Sequence, residues 1–115
     1  MEVHGNLAML LADQGRIDAA MAEYRAALGI APSVVVLNNM GVLLVKTGRA
    51  AEAVSIYREA LRLQPDAAPV HENLAYALLA LGDRQTARAE LERALHLDPG
   101  AEDARRALAE LASGG

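Results

Sequence analysis

Apolar residues in this chain recur at the spacing of one face of a helix. Three segments carry them at positions i, i+3 and i+4, a pattern typical of an amphipathic helix with one buried side. These positions are Leu7, Leu10 and Leu11, then Met40, Leu43 and Leu44, then Leu74, Ala77 and Leu78. The pattern predicts a helical protein.

The three segments belong to a longer unit that repeats every 33 or 34 residues. Each unit has a glycine after its first helix and a proline at its end. They are Gly15, Gly48 and Gly82, and Pro32, Pro65 and Pro99. Glycine enters the left-handed conformation that closes a helix at little cost, and proline stops the second helix because it lacks a backbone N–H. Each unit is therefore predicted to be two helices joined by a turn.

Local signals also predict how these helices begin and pack. Ser33 and Asp66 follow two of the prolines and can cap the next helix, and Pro69 suits a first-turn position. Small residues at matching positions would let paired helices approach closely, and bulky residues would fill the space between layers. The small residues are Ala8, Gly41, Ala75, Ala20, Ala53 and Ala87, and the bulky ones are Tyr24, Tyr57 and Leu91.

The period, and the order of small residue, aromatic, alanine and proline, resemble the tetratricopeptide repeat (TPR). The resemblance implies an all-α fold, a right-handed superhelix (α-solenoid) of helix–turn–helix units with a concave inner groove. It divides the chain into repeats at 1–33, 34–67 and 68–101, a C-terminal capping helix at 102–112, and a frayed tail at 113–115. The sequence departs from the family at His4, Leu37 and His71, where tryptophan is frequent, and at Leu91, where an aromatic residue is usual.

Composition and charge narrow the function. The 115 residues fit one domain and carry eleven Lys and Arg against fifteen Asp and Glu, so we expect no nucleic-acid binding. No apolar run approaches the ~20 residues that a membrane span needs, and we expect no membrane insertion. The absence of cysteine excludes a disulfide framework and permits a cytoplasmic location. High alanine and arginine usage favours a bacterial source.

Little in the sequence points to catalysis. His71-Glu72 begins a metalloprotease-like string, but Ala75 stands where the second histidine would be. The stretch Thr47-Gly48-Arg49 lacks the lysine of a phosphate-binding loop. We expect no enzyme activity, no catalytic residues, no metal and no cofactor.

The resemblance implies that the first helix of each repeat lines the groove. Transferred position by position, it predicts a partner-binding groove formed by Asn6, Met9, Asp13, Asn38, Asn39, Val42, Val45, Lys46, Glu72, Asn73, Tyr76 and Leu79. The groove would be largely apolar, with a few charges at its rim. Asn6, Asn39 and Asn73 would form a ladder that either grips the backbone of a bound peptide or satisfies packing hydrogen bonds within the chain.

These features predict a non-catalytic module that binds a peptide or a helix of a partner protein in its groove. Two alternatives stay open, namely a self-associating assembly module, and the TPR fragment of a larger enzyme or secretion component. The heat-shock-type carboxylate clamp of some family members is not expected, because its cationic positions are replaced here. The clamp positions hold Gly5, Met9, Asn39, Pro69 and Asn73.

Overall fold

The computed structural model describes residues 15–114, which form six α-helices and contain no strand. Their bounds are α1 Ile17–Ile30, α2 Val34–Lys46, α3 Ala50–Leu63, α4 Ala68–Ala80, α5 Arg84–Leu97 and α6 Glu102–Gly114. Each helix packs against the next, and α2 also contacts α4. The predicted first helix of the chain, with Asn6, Met9 and Asp13, lies outside the described residues.

Glycine sets the turns between paired helices, as the repeat pattern predicts. Gly15, Gly48 and Gly82 all have positive φ, between 78° and 85°. After α2, the N–H of Arg49 donates to the carbonyl of Leu44, and after α4 the N–H of Asp83 donates to that of Leu78. These bonds close the helix ends that a left-handed residue makes accessible.

The predicted cap of α2 is confirmed, and the predicted cap of α4 is wrong. The Ser33 hydroxyl accepts a hydrogen bond from the N–H of Val36 at 3.2 Å and caps α2. Asp66 does not cap α4, because that helix begins one residue later, after Ala67, and has no side-chain cap. Pro69 lies in the first turn of α4, where a missing N–H costs nothing.

One continuous apolar core runs between the helices. Its largest fully buried side chains are Tyr57, Leu37, Met40, Leu44, Leu74 and Leu91. Gly41 permits the closest approach, since a Cβ atom there would overlap the Cε1 and Cζ atoms of the Tyr57 ring. The last helix contributes Ala104 and Leu111 to this core and ends at Gly114, beyond the predicted end of the cap at residue 112.

The stacked helix pairs make the protein an all-α helical repeat solenoid, and the predicted fold class is confirmed. Within residues 15–114, no helix has the length and the apolarity that crossing a bilayer requires.

Candidate functional site

The first helices of successive pairs and the last helix form one face, which we call the α2–α4–α6 face. An amide–amide hydrogen bond joins α2 to α4, with Asn73 Nδ2 donating to Asn38 Oδ1 at 2.9 Å. Residues of α4 and α6 line a common depression, which includes Tyr76 and Ala107. Of the predicted groove residues, this face includes Asn38, Asn73, Tyr76 and Leu79.

The described groove residues differ in exposure. Lys46, at the end of α2, is exposed, and the others are half-buried. The half-buried residues are Asn38, Asn39, Val42, Val45, Glu72, Asn73, Tyr76 and Leu79. Val45, Tyr76 and Leu79 pack against the core with part of their surface, so these side chains are fixed in place and still present an apolar area outwards.

The asparagine ladder is arranged differently from a row of free amides. Asn73 bonds to Asn38 and not to Asn39, its equivalent in the preceding repeat. The bond uses one N–H of Asn73 and the carbonyl oxygen of Asn38, and the amide group of Asn38 and the carbonyl of Asn73 retain hydrogen-bonding capacity. The pair therefore links α2 to α4 and still offers a donor and an acceptor.

Tyr76 is held by a carboxylate on its own helix. Its hydroxyl donates to Glu72 Oε2 at 2.6 Å, one helical turn away. Burial raises the pKa of Tyr76, and so do the hydrogen bond that its hydroxyl donates to Glu72 and the negative charges of Glu72 and Asp103, against the opposing charge of Arg106. The phenol is therefore neutral at physiological pH and acts as the donor in this bond.

Two depressions lie on this face, and Asn38 lines one of them. The first, of about 400 Å³, lies between the start of α2 and the α3–α4 turn. We call it the Val35 pocket; its lining includes Val34, Val35, Asn38, Pro69 and Val70.

The second depression, of about 440 Å³, lies between α4 and α6. We call it the Tyr76 pocket; it is lined by Tyr76, Leu79, Gly82, Arg84, Ala107, Glu110 and Leu111. Together the two pockets include residues of all three helices of the face.

Sequence reasoning missed the part of this face that α6 supplies. The last helix was predicted only as a cap, yet Ala107 and Glu110 line the Tyr76 pocket. The sequence did contain a signal, because 34 residues separate Asn73 from Ala107 and Tyr76 from Glu110. The repeat period continues into α6, which therefore occupies the place of a further first helix.

His71 is occupied in packing. Its side chain is 11% exposed. Nδ1 lies 2.6 Å from Glu90 Oε1, and Nε2 donates to the carbonyl of Pro65 at 2.7 Å. Both ring nitrogens thus have partners within the chain, and His71 ties α4 to α5 and to the turn that precedes α4. Within the described residues, no three His, Asp or Glu side chains are grouped as metal ligands.

Comparison with solved structures gives the same architecture. The first TPR of Spaghetti (RPAP3), bound to the HSP90 peptide SRMEEVD, superposes with a TM-score of 0.90 at 22% identity, over 97% of this chain and 90% of that one. The first TPR domain of human RPAP3 gives 0.89 at 22% identity, over 96% and 87%. The N-terminal domain of stress-induced protein-1 from C. elegans gives 0.87 at 18% identity, over 96% and 93%.

These likenesses define the class as a helical repeat solenoid built from TPR-type helix pairs. Two tetratricopeptide repeat models match the sequence itself, one over residues 2–34 and one over residues 44–111. The chain therefore belongs to the tetratricopeptide repeat family, as the resemblance predicts. No curated protein matches the chain in sequence.

Proposed function

We propose that this chain is a non-catalytic protein-interaction module that holds a peptide or helical segment of a partner on its α2–α4–α6 face. The observation that carries the proposal is the Asn38–Asn73 pair on a face with two pockets, namely the Val35 pocket, which Asn38 lines, and the Tyr76 pocket. A polar pair together with depressions that contain apolar side chains suits a polypeptide, which alternates hydrogen-bonding backbone with side chains that need burial.

The apolar residues of the face supply the driving force. Val42, Val45, Tyr76 and Leu79 are half-buried. Covering their remaining surface would contribute ~25 cal/mol per Å² of apolar area. Because helix packing already holds Tyr76 and Leu79, little side-chain freedom is lost when a partner covers them, and this favours binding.

The asparagine pair would supply orientation. The bond between the two amides leaves one amide donor on Asn38 and one carbonyl acceptor on Asn73. This donor and this acceptor match the carbonyl and the N–H of a peptide group, and such bonds do not depend on the partner's side chains. Of the two roles predicted for the asparagines, the pair thus combines a bond within the chain with the capacity to hold a backbone.

The relatives support a peptide ligand but not the same peptide. The Spaghetti domain is bound to an acidic HSP90 peptide. In this chain the clamp positions of α4 hold Pro69 and Asn73, and that of α2 holds Asn39. Without cationic side chains at these places, a bound carboxylate would lack charged partners. We therefore propose a partner other than a heat-shock C-terminal tail.

Self-association is a second candidate, which the exposure of two apolar side chains favours. Ile30 is 69% exposed and Val35 is 68% exposed, and Val35 lies in its own pocket on the α2–α4–α6 face. A homodimer would bury this region against a second copy. Light scattering over a range of concentrations separates the candidates, since a dimer that Tyr76→Asp dissociates would favour self-association. A cytoplasmic location and a bacterial source remain predictions from composition.

The decisive experiment is affinity capture from the native host with mass spectrometry. We expect the double variant Val42→Asp/Tyr76→Asp to lose the specific partners of the parent chain, because it places two charges on the apolar face. Ala51→Asp is the matched control, since it adds a carboxylate at an exposed position on α3. Helical circular dichroism must show that both variants are folded. Retention of every partner by the folded double variant would exclude this face.

A further inference from the structure

The Tyr76 pocket has an apolar floor and an acidic rim. Leu79 and Ala107 are half-buried, and Leu111 is buried against the core. Glu110 is exposed at the edge of the same pocket. Glu72 is half-buried beside it, with one carboxylate oxygen bonded to the Tyr76 hydroxyl. The pocket therefore combines apolar surface with the carboxylate of Glu110 and the guanidinium of Arg84, and the carboxylate of Glu72 lies beside it.

Neither carboxylate has a cationic partner among the described residues. The bond that Glu72 accepts comes from a neutral phenol, and no ion pair involves Glu110. Of the two nearby cations, Arg106 pairs with Asp103 at 3.5 Å. Arg84 lines the pocket and donates to the carbonyl of Leu111 at 3.3 Å, in the last turn of α6, where the helix dipole is negative.

The charges that shift the pKa of the Tyr76 hydroxyl are consistent with the charges just described. After burial, the largest cause that raises its pKa is Glu72, and Asp103 acts in the same direction. Only Arg106 opposes them. Close to the aromatic ring, the two carboxylates of Glu72 and Glu110 thus outnumber the one guanidinium of Arg84.

We infer that the Tyr76 pocket receives an arginine or lysine side chain of the bound segment. This inference rests on the proposed function and names the partner chemistry for one part of the face. The aliphatic stem of a basic side chain would cover Leu79 and Ala107, and its charged head would lie at the rim between Glu72 and Glu110. A guanidinium would also be attracted by the face of the Tyr76 ring.

A plain apolar side chain suits this pocket less well. It would bury the floor but would also draw Glu72 and Glu110 out of water without giving either a partner, which is unfavourable. An acidic segment such as SRMEEVD, the HSP90 peptide held by the Spaghetti domain, would add repulsion to this cost. Charge complementarity therefore favours a basic segment.

The test is selection from a displayed library of random peptides. The parent chain, the double variant Glu72→Gln/Glu110→Gln and the control Glu59→Gln serve as baits, and Glu59 is exposed on α3. We expect the parent and the control to enrich peptides that contain Arg or Lys beside apolar residues. The double variant should enrich peptides without this basic preference.

Fluorescence anisotropy then measures the selected peptide. We expect the double variant to bind about fivefold to tenfold more weakly than the parent, and Glu59→Gln to bind like the parent. Replacing the basic residue of the peptide by norleucine should weaken binding to the parent but have little further effect on the double variant. SRMEEVD should bind to the parent more weakly than the selected peptide does.

The failures of the two proposals are distinguishable. A library without basic preference, or a basic preference that survives in Glu72→Gln/Glu110→Gln, would overturn the inference and leave the proposed function intact. If selected peptides bind equally well to Val42→Asp, they do not lie on the α2–α4–α6 face, and both proposals are wrong. If no peptide is enriched on any bait, the inference fails, and the capture experiment alone decides the proposed function.

Discussion

The α2–α3 pair and the α4–α5 pair occupy equivalent places 34 residues apart, yet different side chains fill those places. Gly41 of α2 faces the ring of Tyr57 on α3. The equivalent positions of the second pair hold Ala75 and Leu91, both fully buried. In the second pair the small residue is larger, alanine in place of glycine, and the bulky residue is smaller, leucine in place of tyrosine. The comparison teaches that these two pairs fill the same space between their helices with two side chains that differ together.

Polar and apolar side chains also differ between the two helix pairs at two positions together. In the second pair, His71 and Glu90 are hydrogen-bonded at 2.6 Å. In the first pair, the equivalent positions hold the buried Leu37 and the half-buried Ile56. Two apolar residues in the first helix pair thus correspond to two hydrogen-bonded residues in the second helix pair. These two positions hold either two apolar residues or two polar residues.

We expect the largest loss of stability when either Gly41 or Tyr57 is changed alone. Gly41→Ala should destabilise the protein by about 3 kcal/mol, because the new methyl group overlaps the buried Tyr57 ring. Urea unfolding measures this loss. Tyr57→Leu alone should also destabilise, since it leaves a cavity.

The double variant Gly41→Ala/Tyr57→Leu gives the first pair the residues of the second. We expect it to be closer to the parent in stability than Gly41→Ala is, with a coupling energy that the double-mutant cycle extracts. Additive losses would show that volume is not exchanged as a couple.

His71 and Glu90 should behave in the same way, but the loss of stability in a single variant should be smaller. His71→Leu should cost about 2 kcal/mol, because it leaves the part-buried Glu90 side chain and the Pro65 carbonyl without their hydrogen-bond partner. The exchange His71→Leu/Glu90→Ile installs the apolar couple of the first pair and should recover most of this loss. Thermal unfolding of the two variants and of Glu90→Ile tests the claim, and a double variant less stable than both single variants would contradict it.

The sequence was sufficient for the fold because its signals are local. The apolar spacing and the glycines at Gly48 and Gly82 depend only on neighbours along the chain, and they predict the helices and their turns correctly. The Asp66 cap failed by one residue, since α4 begins after Ala67. The tertiary bond from His71 to the Pro65 carbonyl holds the turn that precedes α4.

The site was less predictable because it depends on the register between helices. Asn38 and Asn39 differ by about 100° around α2, and only the packing of α2 against α4 decides that Asn73 meets Asn38. The interpretation of residues 102–112 as a cap leaves out the contribution of α6 to the face. Its groove residues follow from the period alone, as the spacing from Tyr76 to Glu110 shows.

The smallest effect concerns how the first helices of the two pairs begin. Ser33→Ala should cost about 1 kcal/mol, because it removes the hydroxyl that accepts the Val36 N–H. Ser55→Ala is the control, since Ser55 is exposed within α3 and caps no helix. In the second pair no side chain caps α4, and His71 fixes the preceding turn through the Pro65 carbonyl.

Hydrogen exchange resolves this difference by position. Ser33→Ala should accelerate exchange in the first turn of α2 and leave the start of α4 unchanged, while His71→Leu should do the reverse, because each start is held by a separate bond. If Ser33→Ala loosened both starts equally, the helices would open as one unit. The local bonds would then add to the stability of the whole solenoid rather than fix the helix starts one at a time.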